Sequence, residues 1–189
     1  MGTRRCFISV DCAPPIQDAI ATFQEPLANV SGVRLVEPTQ THVTLKFLGD
    51  VPDRDIDDVG EQLEDAIHAT DLTPFPVRYG GIGVFPSYDY ISVIWTGVRD
   101  GGRPLEILQE AIETRYVASG FDPEDHDEFV PHVTIARMDH GGGKQTVQEF
   151  VRTEDPDLGT STVREVRLKE SILRSDGPAY ETLLNVPLS

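Results

Sequence analysis

The tetrad His-Val-Thr-Leu at 42–45 returns as His-Val-Thr-Ile at 132–135, ninety residues further on. The chain holds five histidines, and with Val at about a tenth and Thr at about a twelfth of its residues, two of them opening Val-Thr by chance is roughly a one-in-a-thousand event. An internal repeat is the reading that follows. It limits the fold to one built from two halves, each carrying one such strand. A chain of 189 residues has room for two small lobes around a shared core.

The hydrophobic patterning supplies the remaining elements. Alternation bounded by prolines or turn residues predicts strands over 5–12, 32–38, 41–51 and 129–138. It also predicts a hairpin pairing 75–86 with 90–98 across Ser87-Tyr88-Asp89, and a last hairpin of 161–173 with 179–188. Helical spacing predicts 15–30, broken at Pro26, and 53–70, where Ile56, Val59, Leu63, Ala66 and Ile67 share a face. A third helix over 101–120 has Pro104 in its first turn and Gly120 as its stop, and a fourth covers 143–154. Strands with hairpins and interspersed helices give an α+β fold, largely antiparallel. The expectation is one domain over 1–189: two pseudo-symmetric, sequence-ordered lobes with helices outside and a cleft between them.

On a strand, residues two apart share a face. His42 therefore sides with Thr44, and His132 with Thr134, while Val43, Leu45, Val133 and Ile135 pack inward. A polar pair on an otherwise apolar strand faces water, a cleft or a partner. Two such strands side by side present two imidazoles and two hydroxyls to one cavity. Histidine titrates near neutrality, so one ring can accept a proton while the other donates one. The hydroxyls are neutral donors suited to phosphoryl oxygens. These are the parts needed to open or form a phosphodiester without a metal or cofactor. Nothing in the two tetrads says which ring is the acid.

The stretches "HVTLKFLGD" and "PHVTIAR" resemble the two His-x-Thr-x motifs of the 2H phosphoesterase superfamily. The likeness is greatest to the RNA 2′,3′-cyclic phosphodiesterases, also called 2′-5′ RNA ligases. It extends to "RCFISVDC", to "GIGVFPS" with "VIWTGV", and to "LKESILRSDGPAYETL", nearly the whole chain. The resemblance implies a bilobal α+β fold with the cleft between lobes. It also implies hydrolysis of a 2′,3′-cyclic phosphate to a 2′-phosphate, with reversible 2′-5′ joining as a side activity. It makes His42 the proton donor and His132 the proton acceptor, with Thr44 and Thr134 on phosphate oxygens. It also puts Arg137 on the substrate, although five residues after His132 this arginine has the wrong strand parity unless the strand twists, bulges or ends there. The alternatives are a phosphodiesterase for another small cyclic or 2′-5′-linked nucleotide, an RNA-end binding module without turnover, and a metallohydrolase.

Other residues receive simpler readings. Lys46 continues the His42 face and either touches phosphate or lies solvated at an edge. Phe7 and Phe47 could stack on a base, with core packing the expectation for both. His68 ends a helix, where a cation suits the dipole. His126 and His140, with Asp125, Asp127 and Asp139, lack zinc spacing and read as solvated acidic loops. Gly80–Gly83 and His140–Gly143 read as turns rather than nucleotide loops. Cys6 and Cys12 are about 20 Å apart along a strand, too far for a disulfide.

The charge bounds the partners. Sixteen basic residues against 32 acidic give a net charge of −16, as in a protein kept soluble in high salt. Molar salt shortens the screening length to about 3 Å, so a phosphate-bearing substrate remains compatible with a local site. A long groove for duplex nucleic acid does not. No apolar run reaches the 18 or more residues that span a bilayer, and the apolar run after the N-terminus stops at Asp11, too soon for a leader. The expectation is a cytoplasmic monomer acting on RNA ends or small nucleotides that carry a cyclic phosphate, without membrane, duplex DNA, metal or cofactor.

Overall fold

The computed structural model describes residues 2–123 and 128–189. In chain order the elements are β1 (Thr3–Asp11), α1 (Pro14–Gln24), β2 (Val33–Leu35), β3 (His42–Pro52) and α2 (Ile56–His68). There follow β4 (Phe75–Pro86), β5 (Ile91–Asp100), α3 (Gly102–Ala118), β6 (His132–Met138) and α4 (Lys144–Thr153). The chain ends with β7 (Asp157–Val163), β8 (Glu165–Arg174) and β9 (Gly177–Pro187). Pro14 and Pro26 bracket α1 as their fixed φ dictates, the second opening a short 3₁₀ turn beyond the helix end.

All nine strands join one curled antiparallel sheet in the order β7-β4-β5-β6-β3-β1-β8-β9, with β2 on β6. The fold is α+β as expected, and its two halves are the two sides of this sheet. They are not ordered by sequence. One half combines β1 and β3 with the C-terminal hairpin β8-β9; the middle of the chain forms the other. The reason is edge pairing: β3 occupies one side of β1, and β8 satisfies the other. The predicted strand over 161–173 is in fact two. The backbone leaves β7, paired to β4, and crosses at Arg164 to β8, paired to β1.

The helices cover one face of the sheet and bury a continuous core. Leu105, Leu108 and Ile112 of α3 and Val59 and Leu63 of α2 belong to the same cluster as Val43, Leu45, Val133 and Ile135. Among the described residues no helix is long and apolar enough to cross a membrane. Cys6 and Cys12 are buried free thiols, and burial pushes both up, Cys6 to about 11 and Cys12 to about 12.

The segment Gly80–Gly83 is not a turn but part of β4, at an irregularity in its pairing with β5. Its glycines make room for side chains from the neighbouring strand. A Cβ at Gly83 would collide with the Trp95 indole, and one at Gly80 with Arg99.

Candidate active site

The two tetrad strands meet at the centre of the sheet through a single bridge, Val43 opposite Val133, antiparallel. Continuing that register by one residue each way sets His42 opposite Thr134 and Thr44 opposite His132. The valines are fully buried on the helix side, and the histidines and threonines are half-buried on the other. Period-2 alternation thus brings the two imidazoles and the two hydroxyls to one face, as the repeat implied.

Each strand then does the same unusual thing. Along β3 the burial runs half-buried, buried, half-buried, buried, buried, exposed; β6 repeats it from His132. The two adjacent buried residues mark a β-bulge. Against β1, Thr44 and Lys46 pair with successive residues, leaving Leu45 as the extra one. Against β5, Thr134 and Ala136 pair with successive residues, leaving Ile135 extra. A bulge inverts the parity of everything after it. Arg137 therefore joins the histidine face, exposed, opposite Val93 of β5 and Arg34 of β2. Most basic side chains of this acidic protein lie beside a carboxylate, yet Arg137 has no ion pair among the described residues.

The same inversion overturns both readings of Lys46. It is neither on the histidine face nor a solvated edge residue. It is 1% exposed, and its ammonium donates to Glu113 of α3 at 2.8 Å and to the Asp122 carbonyl at 2.9 Å. Phe47, expected in the core, is brought to the histidine face instead and is 65% exposed. Phe47 and Arg137 are thus matching positions of the two strands. Phe7 is buried, but against His42, Phe47 and Tyr180 on the histidine face and not in the helix-side core.

Both histidines are tethered to the carbonyl two residues before them, just ahead of each strand. His42 Nδ1 donates to the Gln40 carbonyl at 2.9 Å, and His132 Nδ1 to the Val130 carbonyl at 2.8 Å. A carbonyl only accepts, so Nδ1 carries the hydrogen in each ring, and Nε2 is the basic nitrogen of the neutral ring. His42 Nε2 lies 3.0 Å from the Thr44 hydroxyl. Burial lowers the His42 pKa. The Gln40 carbonyl and the Asp11 carboxylate oppose that, while Lys169 and His132 add to it.

The walls behind the two rings were not legible in the sequence, and they differ. His42 packs on Phe7, with ring centroids 5.0 Å apart, and takes Tyr180 of β9 edge-on at 5.3 Å. Its cross-strand neighbour is Asp11, whose carboxylate accepts from Lys169 at 2.7 Å, Arg167 at 2.9 Å and Ser9 at 2.9 Å. His132 instead meets Phe85 edge-on at 4.9 Å and Trp95 at 5.8 Å. Those two rings stack on each other at 5.1 Å. Its cross-strand neighbour is Gly97.

The remaining histidines stand apart from this face. His68 is exposed at the end of α2. His140 accepts from the Gly142 amide and caps the turn before α4, beside Asp139, which is ion-paired with Arg34. His126, Asp125 and Asp127 lie outside the described residues. Among the described residues no cluster of three or more His, Cys, Asp or Glu could hold a metal.

The sequence profile of the 2′-5′ RNA ligase superfamily matches residues 13–170. A protein of Methanothermobacter thermautotrophicus named RNA 2′,3′-cyclic phosphodiesterase is 32% identical, with 93% of this chain and 94% of the relative aligned. One of the same name from Archaeoglobus fulgidus is 33% identical over 95% of this chain and 97% of its own. Among solved structures, TT0787 of Thermus thermophilus superposes with a TM-score of 0.77 at 26% identity, covering 97% of each chain. Escherichia coli LigT, solved in complex with 3′-AMP, shares the fold with a TM-score of 0.80 at 20% identity, covering 99% of each chain. With two His-x-Thr strands joined at the centre of such a sheet and a match running nearly end to end, the chain belongs to the 2′-5′ RNA ligase superfamily.

Proposed function

We propose that the chain is an RNA 2′,3′-cyclic phosphodiesterase that leaves a 2′-phosphate. The observation that carries this reading is the Val43–Val133 bridge, which turns both imidazoles to one face with Nε2 as the basic nitrogen of each neutral ring. His132, neutral, takes a proton from water at Nε2 as the water oxygen attacks phosphorus. His42, charged, gives its Nε2 proton to O3′ as the P–O3′ bond breaks. One proton enters the protein and one leaves it, so no metal is required to balance the step. Thr44 and Thr134 donate to the non-bridging oxygens, and Arg137 supplies the positive charge that the developing anion needs. A 5′-hydroxyl in place of water gives a 2′-5′ linkage by the same proton transfers. Phe47, an exposed ring on the same face, is placed to stack on the terminal base. The names of the relatives and the nucleotide in the LigT complex support a nucleotide substrate.

The test is product analysis on nucleoside 2′,3′-cyclic phosphates and on short RNA with a cyclic phosphate end, in high salt with and without EDTA. A 2′-phosphate formed equally with and without chelator is the expected result. A 3′-phosphate would reassign the broken bond. Retention of the cyclic end on the protein without turnover would make the chain a binding module, and loss of activity in EDTA would make it a metallohydrolase.

A further inference from the structure

Each ring is tethered at Nδ1 to the carbonyl two residues before it, and the strands across the sheet set different neighbours against the two. Equivalent positions can be read off the register. Opposite His42 is Asp11, and opposite His132 is Gly97; opposite Thr44 is Ser9, and opposite Thr134 is Trp95. One ring therefore faces a charged cluster, where the other faces glycine and an indole.

That cluster is costly. Lys169 is only 6% exposed, and the Asp11 side chain is 17% exposed. Burying charges is tolerated only where they are paired and hydrogen-bonded. Here every oxygen of Asp11 is occupied: Oδ2 by Lys169 and Arg167, Oδ1 by Ser9. Arg167 is also bound to Glu165 at 2.6 Å, and Lys169 stands 5.9 Å from the centre of the Tyr180 ring that abuts His42. Burial pushes the Asp11 carboxyl up, but the Lys169 contact, the Ser9 hydroxyl and Arg167 together hold it below its ordinary value. Among the described residues the groups facing His42 are then Asp11 from β1, Lys169 from β8, His132 from β6, the Tyr180 ring from β9, the Phe7 ring, the Thr44 hydroxyl and the Gln40 carbonyl. Among these only Asp11 carries negative charge.

We propose that Asp11 is a positioning residue that sets the proton affinity of His42, with Lys169 and Arg167 keeping Asp11 ionised so that it polarises the imidazole without taking its proton. This rests on the reading of His42 as the acid. The anion stabilises the charged ring before transfer. The two cations fix the anion's state, so the proton leaves His42 toward the substrate oxygen and not backward into the sheet. At His132 the matching place across the sheet is Gly97.

The test is titration of the five histidine rings by NMR, with His42→Ala to identify the His42 signal, in the full chain and in Asp11→Asn and Lys169→Met. Asp11→Asn is expected to lower the His42 midpoint by about one pH unit, a tenfold loss of proton affinity. Lys169→Met is expected to raise it, because Arg167 still keeps the anion charged. In the pH–rate profile the limb belonging to His42 should move with the ring in both variants, while the other limb stays. If both variants move the midpoint the same way, or leave it in place while lowering the rate uniformly, Asp11 merely braces β1 against β8 and the proposal fails. Should Asp11→Asn not fold, Asp11→Ser, which also removes the charge, takes its place with the same downward shift expected and the same outcomes against it. The NMR midpoints do not depend on turnover, so a failed assignment of the reaction would show as missing product with the shifts still present.

Discussion

The His42 half and the His132 half of the site have the same frame and different walls. Each has a His-x-Thr strand, a ring tethered at Nδ1 to the carbonyl two residues back, and a bulge three residues on. Behind one ring lie Asp11, Lys169, Arg167 and Tyr180; behind the other, Trp95 and Phe85 stack above the space left by Gly83. The difference teaches where a duplicated site becomes directional. Backbone pairing and tethering bring both rings to one face, and the flanking strands give each ring a different wall. An isolated tetrad strand could serve as either acid or base.

The largest effects should come from the frame, and they should be equal on both sides. His42→Ala and His132→Ala are each expected to slow hydrolysis by roughly a thousandfold, within the range for loss of a general acid or base. The double variant should be scarcely worse than either single one, because the two act in one proton-transfer step. Single-turnover rates on a nucleoside 2′,3′-cyclic phosphate would show this. Multiplying losses in the double variant would mean that the two rings act in separate steps. Next come the matching positions beyond the bulges, where the halves part. Arg137→Ala should lower kcat/KM about a hundredfold on every cyclic phosphate, since a charge-assisted phosphate contact is lost. Phe47→Ala should lower it only about tenfold, the order of one lost base stack. That second loss should vanish on ribose 2′,3′-cyclic phosphate, which has no base to stack. A Phe47 effect that persists without a base would assign the ring to packing.

How much of this was legible in the chain follows from the same contrast between frame and walls. The frame was legible, because strand parity and a repeated tetrad are local facts: His42 with Thr44 and His132 with Thr134 fall on one face by alternation alone. The bulges were not, since nothing in "TLKF" or "TIAR" announces an extra residue. Period-2 counting therefore sent Lys46 to the cleft and left Arg137 needing a special device. The walls were out of reach for another reason. Asp11 meets Lys169 across 158 positions of sequence, and only the β1–β8 ladder unites them. The two halves looked sequence-ordered because hairpins are local, whereas the pairing of β1 with β8 joins the two ends of the chain. The nearest local clue to the aromatic wall was glycine: Gly83, read as part of a turn, is the floor under Trp95.

That floor offers a test confined to one half. Gly83→Ala would place a methyl group where the Trp95 ring lies, and overpacking of this kind destabilises by about 1–3 kcal/mol. The melting temperature should fall. Activity should fall a few-fold as the Trp95–Phe85 stack shifts against His132, while the His42 titration stays in place. A moved His42 midpoint would show that the walls are mechanically coupled and that the two halves are not tuned separately.

The smallest effect on chemistry should come from Lys46, the residue that parity counting put nearest the phosphate. Its equivalent beyond the second bulge is Ala136, a fully buried apolar residue, so the frame does not call for a cation there. The ammonium is committed to Glu113 and the Asp122 carbonyl, tying β3 to α3 and to the chain just beyond that helix. Lys46→Met keeps the buried stem but removes these hydrogen bonds. The Glu113 side chain is 23% exposed and can regain water in part, which holds the loss to about 1–3 kcal/mol. Denaturant unfolding should show that loss with kcat and KM unchanged below the melting transition. A fall in kcat/KM with stability intact would instead return Lys46 to the substrate.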